Sequence, residues 1–146
     1  MAKGKNKKQA VAYHEAGHAY AHLLTRIPFE YVSIKHEEEC EGRISGGIKE
    51  GFSGAFILIS GYVSERLYTG RYNMFTARAD FKDLFDIWLS DFPKPAEQEK
   101  QLIKYARRVL GARWEQVKAI AEALLERETL TFEQVDTISR EASLKH

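Results

Sequence analysis

The chain holds a single cysteine, Cys40, in 146 residues. One thiol excludes an internal disulfide and any zinc site made of cysteines alone, and the compartment it suggests is a reducing one, the cytoplasm. Charge of one sign is missing too: 22 Lys and Arg stand against 21 Asp and Glu, a formal net charge of +1. No global field therefore argues for a nucleic-acid partner. Long apolar runs are absent. The longest mostly apolar stretch, Ala55 to Val63, is interrupted by Ser60 and Gly61 and falls far below the ~18 residues of a membrane span. The N-terminal lysines are followed by no apolar segment, so no signal peptide is expected. The chain does have 44% hydrophobic and 12% aromatic residues, enough for one packed domain and too many for a disordered or collagen-like chain.

The expected organisation is a basic, solvated tail over residues 1–8 and one domain over 9–146. Residues 9–24 have helical periodicity, and Pro28 blocks continuation. Phe29 to Ile34 alternates and is rich in β-branched and aromatic residues, as a strand is. An acidic loop, His36 to Glu41, and a short return strand within Arg43–Ile48 come after it. Gly51 to Tyr68 reads as a buried helix closed by Gly70 at its C-cap, and its internal glycines allow close packing against a neighbour. After a loop over Arg71–Ala79, a helix is expected over Asp80–Leu89; Phe75, Phe81, Phe85, Trp88 and Phe92 read as core. Pro93 and Pro95 break the chain. Helices over 96–110 and 113–126 come next, separated by Gly111, and Thr131 with Gln134 forms a capping box opening a last helix to about Ala142. The fold class is thus mainly α with a small β element (α+β), with residues 9–92 and 96–142 as its two parts.

The chemistry sits in His14-Glu15-Ala16-Gly17-His18, an HExxH pattern on a helix. At typical frequencies of ~0.02 for His and ~0.06 for Glu it arises by chance about 0.004 times in a chain this long. Four residues are about one helical turn, so both imidazoles leave the same face and can share one zinc ion. Glu15 is placed to reach a water on that ion rather than the ion itself. Val11, Ala12, Ala16, Gly17 and Ala19 are small or apolar, which suits a packed metal site better than a solvated face. His22 continues the i, i+4 series, but a ring ~12 Å along the axis from His14 is too far to share its ion. Ala21 and Leu24 also stand where a metzincin carries its glycine and third histidine. A third ligand must come from further along, with Glu65, Asp80, Asp83 and the His36–Cys40 loop as candidates; Cys40 itself reads as a lone thiol in a solvated loop.

Residues Ala12-Tyr13-His14-Glu15-Ala16-Gly17-His18-Ala19 resemble the zinc-site helix of the peptidase domain of FtsH-type AAA+ proteases. The likeness continues in order: Tyr31-Val32-Ser33-Ile34 resembles the strand after that helix, Gly61-Tyr62-Val63-Ser64-Glu65-Arg66-Leu67 its Gly-Arg-x-Ala-Glu-Glu segment, and Ala119 to Glu126 with Glu128-Thr129-Leu130 its C-terminal helices. It covers most of residues 10–92 and 112–140. The resemblance implies an FtsH-peptidase-like helical zincin domain. It also implies a third ligand from an aspartate opening a helix: Asp80, in Thr76-Ala77-Arg78-Ala79-Asp80-Phe81, matches with a one-residue deletion, and Asp83 with a two-residue insertion. Asp80 is favoured, although the family's Gly and Ser-Asn are missing from the loop. Glu65 falls where the family carries a glutamate and reads as a carboxylate orienting a ligand histidine.

The function expected from these residues and this resemblance is that of a zinc metallopeptidase: Zn2+ on His14, His18 and Asp80, with Glu15 as general base. Its substrate would be a peptide or unfolded protein, paired along a strand edge around Tyr31–Ile34. A FtsH-type protease also carries an ATPase and a membrane anchor, but this sequence has no GxxxxGK[ST] loop and no membrane span. The expectation is a domain that cuts alone or is fed by a separate ATPase or unfoldase; FtsH peptidase domains form hexameric rings, so a homo-oligomer is a further candidate. The alternative is a zinc-binding pseudoprotease, an interaction module without turnover: intact Glu15 speaks against it, the altered Thr76–Asp80 loop for it.

Overall fold

Two helices form the interior of the molecule. The computed structural model describes residues 7–35, 43–46, 50–70 and 82–145. Helix α1 spans Lys7–Thr25 and helix α2 Gly51–Thr69. Each buries twelve consecutive residues, Val11 to His22 and Gly54 to Glu65. A helix that is apolar or small on every side belongs inside a core, and α1 is covered from more than one direction. It crosses α2 on one side and packs on α4 (Trp114–Arg127) on another; α3 (Pro95–Ala112) covers α2, and α5 (Phe132–Lys145) covers α4. Lys7 and Lys8 are the first residues of α1 and not part of a tail.

The α1–α2 crossing depends on glycine. A Cβ at Gly17 would collide with the backbone carbonyl of Ser60 and with the Ser64 side chain. With that contact open, the Ser64 hydroxyl donates to the Tyr13 carbonyl oxygen at 2.5 Å. Tyr13 is then clamped between elements: its ring stacks on Tyr68 at 3.7 Å and 6° and on Trp114 at 5.6 Å.

Helix ends reflect local chemistry. Gly70 closes α2 in the left-handed region (φ 72°), its N–H donating to the Arg66 carbonyl at 2.8 Å. Gly111 does not end α3. The helix runs on to Ala112 and breaks at Arg113, because a glycine terminates a helix only where the chain takes up a positive φ, and Gly111 does not. Thr131 and Gln134 form the expected capping box: the Gln134 N–H donates to Thr131 Oγ1 (3.2 Å) and the Thr131 N–H to Gln134 Oε1 (2.9 Å).

A three-stranded antiparallel sheet completes the fold, in the order β2 (Arg43–Ser45), β1 (Tyr31–Ser33), β3 (Thr129–Thr131). Val32 sits between Ile44 and Leu130. The third strand has no sequence signal: three residues with one apolar side chain, Leu130, carry no readable alternation. It corrects the substrate-edge expectation, since both edges of β1 are occupied and the outer edges of β2 and β3 are the open ones among the described strands. The aromatic segment is corrected as well. Residues 82–87 are helical and lead into a 3-10 turn, Leu89–Asp91, with Leu84 and Leu89 as the buried residues. Phe85 points outward, 47% exposed, because it is Leu84 that faces the core on this short helix. Trp88 packs on Phe92 and Phe52. Phe75 and Phe81, the acidic loop over 36–42, the Arg71–Ala79 loop and the expected helix start at Asp80 lie outside the described residues. No described helix is long and apolar enough to cross a membrane.

Two measurements check this packing. Gly17→Ala must displace backbone, so it should destabilise the fold by about 2–3 kcal/mol, read as a lower denaturant midpoint with an unchanged slope. A variant as stable as the parent would show that the helices do not cross this closely. The Tyr13 phenol is pushed up to about 12, first by burial and then by Tyr68, Glu122 and Glu115. The folded state therefore holds this proton more tightly than the unfolded chain, whose phenol titrates near 10. The stability it contributes is intact below pH ~10 and is lost as pH rises toward ~12. Tyr13→Phe should flatten that alkaline fall, and an identical alkaline limb in the variant would contradict the assignment.

Candidate metal centre

His14, Glu15 and His18 are buried together, each 6% exposed, in the middle of α1. One ligand-capable atom from each lies within 4.8 Å of those of the other two. The helix supplies the spacing, and α2 supplies the partners behind the rings. His14 Nδ1 donates to Glu65 Oε1 at 2.9 Å, and His18 Nδ1 donates to the backbone carbonyl of Ile57 at 2.7 Å. A carbonyl and an ionised carboxylate can only accept, so each ring carries an N–H on Nδ1, which in a neutral imidazole leaves the lone pair on Nε2. The two Nε2 atoms stand 3.1 Å apart, with the rings edge-on at 78°.

That arrangement fixes what the site can do. Two neutral imidazoles held in these tautomers aim lone pairs at each other, which is repulsive unless a proton or a cation shares the space. Two nitrogens each 2.0–2.1 Å from one tetrahedral zinc ion lie about 3.3 Å apart, close to the separation seen. The donor set, the tautomers and the burial therefore fit a divalent ion. Glu15 brings a carboxylate to the same cluster.

Glycine makes the geometry sterically feasible. A Cβ on Gly61 would collide with the His18 ring at Nε2, Cε1 and Cδ2. The ring lies against α2 where that helix has no side chain, and this brings Nδ1 to the Ile57 carbonyl. The Ser60 hydroxyl is turned away, donating to the Phe56 carbonyl at 2.7 Å.

His22 is fully buried but serves the chain turn. Its Nδ1 donates to the Ile27 carbonyl at 2.8 Å, and its ring meets the edge of Phe29 at 5.1 Å. It is not part of the metal-capable group. Glu65 meets His14 at Nδ1, the edge of the ring away from Nε2, and leaves Nε2 facing His18. Asp83 is exposed on the 82–87 helix. Asp80, Cys40 and the rest of the His36–Cys40 loop lie outside the described residues. The Ile57 carbonyl has no sequence signal of its own, because a main-chain group leaves no residue type to read; the only pointer to it is indirect, Gly61 one turn on. Compared with protein-family models and with curated protein sequences, the chain matches none.

Proposed function

We propose that the chain is a zinc-dependent metallopeptidase of the kind its sequence resembles, acting on peptides or unfolded protein segments. The observation that carries the reading is the pair of Nε2 atoms, 3.1 Å apart, with each ring held by an acceptor at its Nδ1. His14 and His18 would hold the ion, with Asp80 proposed as the third protein ligand. Zinc bound there would supply an activated water and polarise the scissile carbonyl. Glu15 would serve as the general base and as the proton donor to the leaving amine. Glu65 keeps the His14 proton on Nδ1, so that the Nε2 lone pair points to the centre, and the Ile57 carbonyl does the same for His18. Of the two strand edges left open among the described residues, that of β2 belongs to the strand packed on α1, and an extended substrate is proposed to add there. Delivery by a separate ATPase and assembly into a homo-oligomer are proposed with it, as is a cytoplasmic location.

Elemental analysis of purified protein should find one zinc per chain, lost in His14→Ala and His18→Ala. Absence of stoichiometric metal ends the metal reading. Glu15→Gln should keep the zinc and lower peptide cleavage by about 10²–10⁴-fold, and cleavage at the parent rate would remove Glu15 as the base. Glu65→Gln should weaken zinc binding about 10–100-fold with the fold intact. A peptide library left uncut by zinc-loaded protein, chelated or not, would favour the pseudoprotease alternative.

A further inference from the structure

On the side of α2 facing α3 lies a second polar feature. A cleft of about 210 Å³ opens between the two helices. Two arginines line it, Arg66 from α2 and Arg107 from α3, together with the apolar Val63, Leu67 and Ile103. No carboxylate lines it among the described residues. Arg66, itself exposed, donates from Nη1 to the hydroxyl of Tyr62 at 3.0 Å, a residue only 3% exposed. In a chain whose charges nearly cancel overall, two cations share one concave surface beside apolar side chains.

The chemistry of such a cleft is that of a monoanion with an apolar body. Guanidinium groups present planar forks that match a carboxylate. Bare phosphate suits it less well. Phosphate sites use several backbone N–H groups, whereas the N–H of Gly70 at the end of this cleft is already committed to the Arg66 carbonyl. The cleft also adjoins the C-terminal end of α2, where the helix dipole is negative, and that end disfavours a dianion more than a single negative charge. We infer that the Arg66–Arg107 cleft binds a carboxylate attached to an apolar group, such as the C-terminal residue of a peptide.

The test uses the whole chain with N-acetyl-Ala-Leu, its C-terminal amide and inorganic phosphate as probes, monitored by amide and methyl NMR shifts at Gly70 and Ile103. The free acid should give saturable shifts in the millimolar range, and the amide none. Arg66→Ala and Arg107→Ala should each weaken binding about tenfold, with the thermal midpoint unchanged in Arg107→Ala, whose side chain is exposed. Equal binding of the amide, binding of phosphate as tight as that of the dipeptide, no saturation, or indifference to both substitutions would each overturn the assignment. Binding should be the same with and without chelator, so its failure is separable from failure of the metal reading.

Discussion

The crossing of α1 and α2 is the constraint on which the rest depends. Two glycines, Gly17 and Gly61, face the opposite helix where a Cβ would overlap it. Remove that closeness and three polar contacts lose their reach together: Ser64 to the Tyr13 carbonyl, His18 to the Ile57 carbonyl and His14 to Glu65. All three join residues from the central turns of α1 to α2. The histidine pair is thus held by the packing of the core, and its precision comes from interior elements that cannot shift independently.

Burying two imidazoles and two carboxylates is costly unless each polar atom has a partner. The α2 helix meets part of that cost in two ways. Glu65 gives His14 a carboxylate acceptor, and Ile57 gives His18 a main-chain one. Both fix the same tautomer, so the electrostatic problem is moved to the opposite ring edges, where the Nε2 atoms converge. An arrangement that concentrates acceptor capacity at one point has little structural rationale of its own. A hydrophobic pair would stabilise the same helix crossing with less desolvation.

How much is legible in the sequence depends on the range of each signal. HExxH can be read because one helical turn brings i and i+4 together, and α1 forms where its spacing indicates. Glu65 can be singled out from its place in a motif-like segment, and it meets His14. The capping box at Thr131 and the C-cap at Gly70 are local chemistry and stand where the sequence puts them. The third strand cannot be read, since Thr129–Thr131 is defined by pairing with Tyr31–Ser33 almost a hundred positions away. The assignment of the sheet edge fails with it. Phe85 misleads because an aromatic residue on a short helix is assigned to the core by type, while Leu84 is the residue that turns inward.

The contrast between His18 and His22 shows why helical spacing alone does not make a ligand. Both sit on α1 four residues apart, both are buried, and both donate from Nδ1 to a main-chain carbonyl at nearly the same distance, 2.7 and 2.8 Å. Their fates diverge through what lies across the ring. His18 faces the bare backbone of Gly61, with Nε2 turned toward His14. His22 faces Phe29, and its carbonyl partner, Ile27, belongs to the turn that carries the chain into β1. The same side chain with the same Nδ1 bond therefore fastens a turn in one place and turns Nε2 toward a second imidazole in the other, and the choice is made by the glycine or the phenylalanine opposite it.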